Sequence, residues 1–298
     1  MKTRLIKYWK PFAAVVFWGV SFIATKTALA ELAPAAIIII RLFFGSLLLL
    51  IIALITKRNL FIGFNGYFGI FILALIAVFH LWIQVTGLQY TTASNTGWII
   101  GTSPVFMAFI GYLFFSEKFT LIKAAGIITA FSGLILLISK GDLTNIDFIS
   151  NKGDFLILAS AATWSIYSAV NKKIALDYPP LIVTLFLFVM MGIILLPFTL
   201  SSNFFSSVIS LSLTGWISVL FLGILCSGVA YVLWAQSLKK METVKVGAFL
   251  YFEPFVTVFA AWLLLNERIT FLIIISGLII TSGVVLVNLD KMIFKKKF

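Results

Sequence analysis

An all-α integral membrane protein is the fold the sequence predicts: ten transmembrane helices in two inverted-topology five-helix repeats, with both termini inside the cell. Three observations predict it. The 298 residues are 62% hydrophobic and only 11% charged, where a soluble domain carries about 25% charged residues. Their apolar runs are about the twenty residues a bilayer requires. The second half of the chain also repeats the first.

The runs place spans at 11–30, 33–55, 67–89, 92–115, 121–139, 153–171, 179–200, 212–236, 246–265 and 270–289, joined by short connections that leave no room for a soluble domain. Lys2, Arg4, Lys7 and Lys10 precede the first run, which is too long for a cleaved leader and reads as a retained span. With that end in the cytoplasm, 17 of the 22 basic residues, through to Lys291 and Lys295–Lys297, fall inside. Three fall outside, Lys140, Lys152 and Arg268, which is the bias expected of a correctly oriented multi-span chain. Asp142, Asp147 and Asp154 gather in or beside the outer connection 141–152.

The repeat is legible in two registers. An offset of 150 carries Ser103-Pro104 onto Glu253-Pro254, Glu117-Lys118 onto Glu267-Arg268 and Gly133 onto Gly283. An offset of 146 carries Trp18, Lys26 and Pro34 onto Trp164, Lys172 and Pro180. The halves are therefore 1–140 and 153–298. Five spans in each make the second half enter from the opposite face, an arrangement suited to a carrier whose central cavity opens to the two sides in turn.

Function classes narrow quickly. One cysteine, Cys226, and one histidine, His80, exclude a Cys/His metal cluster and internal disulfides. No Gly-x-Ser-x-Gly nucleophile turn or phosphate-binding Gly-rich loop is present, so an ATP-driven pump lacks its machinery. A membrane-embedded enzyme is the alternative of another class, and it would need a convergent catalytic set at the membrane interface. A channel filter is equally lacking. The basic charge forms anchors at span ends rather than a nucleic-acid stripe, and no cofactor is expected.

Polar residues inside apolar runs are the candidate site, because such groups are expensive in lipid and face a cavity or a partner. Glu253, followed at once by Pro254, is the leading one: a substrate or proton-coupling carboxylate at a bent helix. Pro104 is its counterpart, so both halves carry a loosened helix at similar depth. Arg41, eight residues into the second span, is a partner for Glu253 or for a solute carboxylate, or else a lock between helices. Lys26, near the end of its span, can extend to the outer surface. His80 and Gln84 are four residues apart and share one helix face; Trp82 points elsewhere. Asn95, Trp98 and Ser103 add polar and aromatic groups to the fourth span, where Gly97 and Gly101 form a Gly-x-x-x-Gly packing pair. Trp98, Trp164, Tyr167 and Trp234 are candidate aromatic walls. Glu117 and Glu267 read as boundary and capping residues beside the helix starts at Thr120 and Thr270.

The stretches FWGVSFIATKTAL and IIIIRLFFGSLLLL, with SPVFMAFIGYLFFSEKFTLIKAAGIITAFSGLILL echoed by EPFVTVFAAWLLLNERITFLIIISGLIITSGVVLV, resemble the two EamA-type repeats of the drug/metabolite transporter superfamily. The likeness covers nearly the whole chain. The tryptophan-glycine pair is Trp18-Gly19, the second-span arginine is Arg41, and the closing glutamates are Glu117 and Glu267. The second half departs from the pattern: Ser165 follows Trp164, and Leu187 stands where Arg41 would repeat. The resemblance implies a plasma-membrane secondary transporter that exports small metabolites, with amino acids the leading solute class and lipophilic cations or drugs the alternative. Its partners are that solute and the surrounding lipid, and a monomer or homodimer both remain open.

Overall fold

Helix starts are set by hydroxyl caps and prolines. Thr92, Thr120 and Ser212 each sit in extended backbone and accept a hydrogen bond from the amide three residues on, Asn95, Lys123 and Gly215, which satisfies an otherwise orphaned helical donor. Pro34 opens its helix, where a missing N–H costs nothing. Asn266, in the left-handed region at φ 53°, ends another. The computed structural model describes residues 2–115, 120–142, 151–175, 178–199, 202–240, 246 and 248–294; Glu117, Lys118 and Asp147 lie outside the described residues.

In chain order the helices are α1 (Lys2–Ala28), α2 (Pro34–Ile55), α3 (Gly63–Gln89), α4 (Ala93–Ile100), α5 (Ser103–Phe115), α6 (Leu121–Ile138) and α7 (Lys152–Ala175). Then come α8 (Pro180–Thr199), α9 (Ser202–Ile209), α10 (Leu213–Leu220) and α11 (Ala230–Lys240), with a π-helical segment, Phe221–Val229, between the last two. A 3₁₀ turn, Ala248–Phe252, leads into α12 (Glu253–Leu265), and α13 (Phe271–Phe294) is the last helix.

The expectation of ten transmembrane helices is corrected here. Among the described residues, seven helices are long and apolar enough to cross a membrane: Trp9–Ala28, Pro34–Ile55, Gly63–Gln89, Leu121–Ile138, Lys152–Asn171, Pro180–Thr199 and Leu213–Ser237. The physical reason lies in the chain breaks. The run 92–115 divides at Gly101-Thr102 into α4 and α5, and 246–265 divides at Phe252 into a 3₁₀ turn and α12. Pro104 and Pro254 each fall in the first turn of a new helix, where proline fits, instead of bending a continuous one. In α13 the apolar stretch Phe271–Val287 is shorter than these seven.

Helix α1 is the hub, packed against α10, the π segment, α11, α12, α4 and α3. Around it α2 lies on α8 and α3 on α7, while α6 and α13 pair at the edge. That pair is reciprocal. A Cβ on Gly133 would sit 2.8 Å from Ile280 N and 2.9 Å from Ser276 O, and one on Gly283 would sit 2.3 Å from Ala130 N and 2.5 Å from Gly126 O. Adding 150 to Gly133 gives Gly283, and subtracting 150 from Ile280 and Ser276 gives Ala130 and Gly126, so the two contacts are reciprocal in the repeat register. Only glycine permits this backbone approach. A second reciprocal crossing ties α7 to α5 and α1 to α12. Ser165 Oγ donates to Ser103 O at 2.9 Å, and Thr257 Oγ1 bonds to Gly19 O at 3.0 Å where a Cβ on Gly19 would meet Glu253 O. Large apolar side chains at helix surfaces, such as Phe64, Phe79, Ile128 and Phe259, are exposed, as suits a chain whose solvent is lipid.

Candidate functional site

The two repeat-related tryptophans meet at the centre. Trp18 on α1 and Trp164 on α7 are 5.7 Å apart, edge to face, and Tyr231 on α11 packs against both, at 5.5 and 6.2 Å. Beside them is a cavity, about 470 Å³ counting the open space at its mouth, lined by Trp18, Ser21, Phe22, Arg41, His80, Leu81, Gln84, Ile100, Trp164, Tyr231, Leu250 and Glu253. Eight elements contribute to it: α1, α2, α3, α4, α7, α11, the 3₁₀ turn and the start of α12.

Arg41 and Glu253 are only 4% and 6% exposed. A charged side chain held this deep is costly unless paired or hydrated. No ion pair joins these two among the described residues. Arg41 Nε donates to Ser227 Oγ at 3.0 Å, and the Glu253 carboxyl has no hydrogen-bond partner among the described residues. The fully enclosed side-chain polar atoms lacking a partner, again among the described residues, are Trp98 Nε1 and Ser276 Oγ. The guanidinium edge and the Glu253 carboxyl are therefore not sealed in the core; they open to the cavity they line.

His80 is fixed by the backbone of α7. Its Nδ1 lies 3.0 Å from Ser160 O and 3.3 Å from Thr163 Oγ1. A carbonyl can only accept, so Nδ1 carries the proton in that bond, and Nε2 has no hydrogen-bond partner among the described residues. The ring is tilted against Trp164 at 5.3 Å. Gln84, one turn away, lines the same wall, and Trp82 packs instead against Phe198.

A second, smaller cavity lies beyond Trp164 and Tyr231, which line both. Its remaining walls include Tyr167, Asn171, Pro180, Thr184 and Trp234. Trp164 and Tyr167 stack at 5.1 Å. Of the residues the sequence singles out, Glu253, Arg41, His80, Gln84 and Trp164 thus come together in the central cavity, and Tyr167 and Trp234 join Trp164 in its neighbour.

Asn95, Trp98 and Ser103 are placed elsewhere. Trp98 lies against Phe255 at 5.2 Å and over Gly277. Ser103 donates its hydroxyl to Ile100 O at 2.7 Å. Asn95 belongs to a polar rim where α3 gives way to α4. There Lys26 Nζ donates to Leu88 O at 2.8 Å and Thr91 O at 2.6 Å. Asp154 accepts from the Thr91 hydroxyl and, at 3.4 Å, from Asn95 Nδ2. The Glu267 carboxylate holds the start of α4 through Ala93 N, Ser94 N and Ser94 Oγ, at 2.8, 3.0 and 2.6 Å. Glu31 grips Ser212 at the start of α10 in the same way, at 2.7 and 2.6 Å, and those donors hold its carboxyl below the usual range. Gly97 and Gly101 serve packing, against Thr257 and Pro254.

Trp18, Ser21 and Tyr231 are cavity residues that the sequence does not mark as site candidates. Trp18 has a signal, its repeat partner Trp164. Tyr231 carries one too, lying three residues before Trp234 on one helical face.

Comparison with known proteins closes this picture. The model of the EamA-like transporter family matches twice, over residues 8–139 and 151–289. An uncharacterized transporter of Archaeoglobus fulgidus is 32% identical over 276 residues, covering 91% of this chain and 93% of that protein. The uncharacterized transporter YoaV of Bacillus subtilis is 28% identical over the same shares. A probable amino-acid metabolite efflux pump of Salmonella typhimurium is 26% identical over 285 residues, 90% of each chain. One solved crystal structure superposes with a TM-score of 0.70 at 17% identity, covering 95% of this chain and 96% of that one, and shows a shared fold.

Proposed function

The chain belongs to the EamA-like transporter family, a multi-pass membrane protein that carries small metabolites as a secondary transporter, and we propose that its solutes are zwitterionic amino acids, moved out of the cell by alternating access through the cavity between Arg41 and Glu253. One observation carries the reading: a buried cation and a buried carboxyl line the same cavity without pairing to each other. A zwitterion supplies both missing partners, its carboxylate to the guanidinium and its ammonium to Glu253. The aromatic surfaces of Trp18, Trp164 and Tyr231 suit an apolar side chain between those poles. The efflux pump of Salmonella typhimurium among the relatives is consistent with this solute class.

Glu253 is in addition the candidate coupling group, since a carboxyl without a hydrogen-bond partner among the described residues can exchange a proton with a solute ammonium. The repeat register supports two halves, 1–140 and 153–298, that rearrange about the cavity. The basic ends, with Lys2 and Arg4 at one and Lys295–Lys297 at the other, favour both termini in the cytoplasm, and the plasma membrane as the location rests on the family likeness. A lipophilic-cation exporter would want Glu253 without a cation beside it, and Arg41 on the cavity wall weighs against that reading.

The test is flux into purified proteoliposomes with labelled amino acids, acid inside against no gradient, for wild type and Glu253→Gln. Proton antiport predicts gradient-driven uptake in the wild type that the variant loses while remaining monodisperse. Wild-type flux and pH dependence in Glu253→Gln would sink the cavity role of this carboxyl. Absence of flux for every amino acid, from folded protein, would remove the solute assignment.

A further inference from the structure

Opposite charges facing one low-dielectric cavity attract strongly, so something must keep Arg41 from closing onto Glu253. We propose that Ser227 is the positioning residue that does this, and that it thereby sets the selectivity of the cavity for carboxylate-bearing solutes; the solute part rests on the function proposed above.

The geometry is specific. Ser227 is 1% exposed and its hydroxyl accepts from Arg41 Nε at 3.0 Å. A neutral acceptor fixes the guanidinium without cancelling its charge. Because Nε is the atom engaged, the edge formed by the two terminal nitrogens is left for a two-pronged bond to a carboxylate. A carboxylate in place of the hydroxyl would hold Arg41 as firmly and abolish it as a solute anchor.

Ser227 owes its position to the π-helical segment Phe221–Val229, whose extra residue per turn rotates the helix beyond it. The segment is pinned from two sides. Trp18 Nε1 donates to Cys226 O at 3.1 Å, and Cys226 Sγ to Phe17 O at 3.2 Å, binding it to α1. Toward α2 the two backbones nearly touch: a Cβ on Gly223 would lie 3.1 Å from Arg41 O, and one on Gly45 would lie 3.1 Å from both Gly223 O and Ser227 Cβ. Glycine at these two places brings the serine alongside the arginine stem. The same turn thus orients Trp18 and Arg41, two walls of one cavity, through adjacent residues.

The experiment compares an amino acid with its decarboxylated amine in proteoliposomes. In Ser227→Ala the amino-acid KM rises roughly tenfold, the amine KM stays nearly level and Vmax changes little, as for loss of one hydrogen bond to a charged group. Ser227→Thr, which keeps the hydroxyl, retains the discrimination. Adding Ser227→Ala to Arg41→Gln changes the ratio no further, because the serine acts through the arginine. Independent losses in the double variant, or equal losses for both solutes, overturn the proposal. A solute-free readout stands beside it: the Arg41 Nε–H resonance in lipid nanodiscs is protected from exchange in the wild type and unprotected in Ser227→Ala. An unprotected wild-type resonance refutes the positioning role whatever the solute. Arg41→Gln leaving the KM ratio unchanged, with that resonance protected, would fault the zwitterion assignment alone.

Discussion

Arg41 and Glu253 announce themselves by chemistry, because a lone charge inside twenty apolar residues has few tolerable environments. Both reach the cavity, as do His80 and Gln84, whose four-residue spacing on an unbroken helix fixes a common face. Arg41 makes the sharpest single-residue prediction. Arg41→Gln keeps a polar group of similar length but removes the charge and the paired donors. Competition assays should show affinity for carboxylate-bearing solutes falling roughly 10- to 100-fold, the range for a hydrogen bond to a charged group, while cationic analogues hold or gain. Equal losses for both would make the arginine a lock between α2 and the π segment.

Element boundaries decide the residues that are less legible. Asn95, Trp98 and Ser103 read as one wall of a continuous span, but the chain breaks at Gly101-Thr102 and re-enters a helix at Ser103. The break separates Ser103 from the other two, which share α4, with Asn95 at the rim end and Trp98 a turn further along against Gly277. The same effect at Phe252 explains why two runs long enough to cross a membrane are not single crossing helices. Ser227 is invisible for another reason: a π turn is a matter of registry between packed backbones and leaves no periodic mark, and serine is a common residue. The capping role expected of Glu267 has a visible basis in its helix-boundary setting, although its target is the start of α4, 173 residues away in sequence from Ser94. Glu267→Ala strips three acceptor contacts from that helix start and should lower stability by about 1 kcal/mol, the usual cost of losing an N-cap. Thermal unfolding in detergent checks this; Glu267→Gln, which keeps an acceptor, should recover part of the loss. An unchanged melting temperature would mean that Thr92 alone caps α4.

Over the whole molecule, the polar rim and the central cavity have to work together if the carrier opens to one side at a time. Three separate elements hold the α3–α4 connection: Lys26 from α1, Asp154 from α7 and Glu267 from the end of α12. Helix α1 carries Lys26 at the rim and Trp18 and Ser21 at the cavity, two turns apart on one rod, so movement at either place is felt at the other. Alternating access then requires the clasp between Ser94 and Glu267 to part once in every cycle. Replacing both by cysteine, in a Cys226→Ser background, places two thiols where hydroxyl and carboxylate now meet at 2.6 Å. A short bifunctional thiol reagent should stop flux in proteoliposomes, and reductant should restore it. Cross-linked protein should still bind solute, since Arg41 and Glu253 are untouched, so binding without turnover is the expected signature. Undiminished flux after complete cross-linking would show that the rim stays shut throughout the cycle, and the passage would have to be sought on the far side of Trp164 and Tyr231.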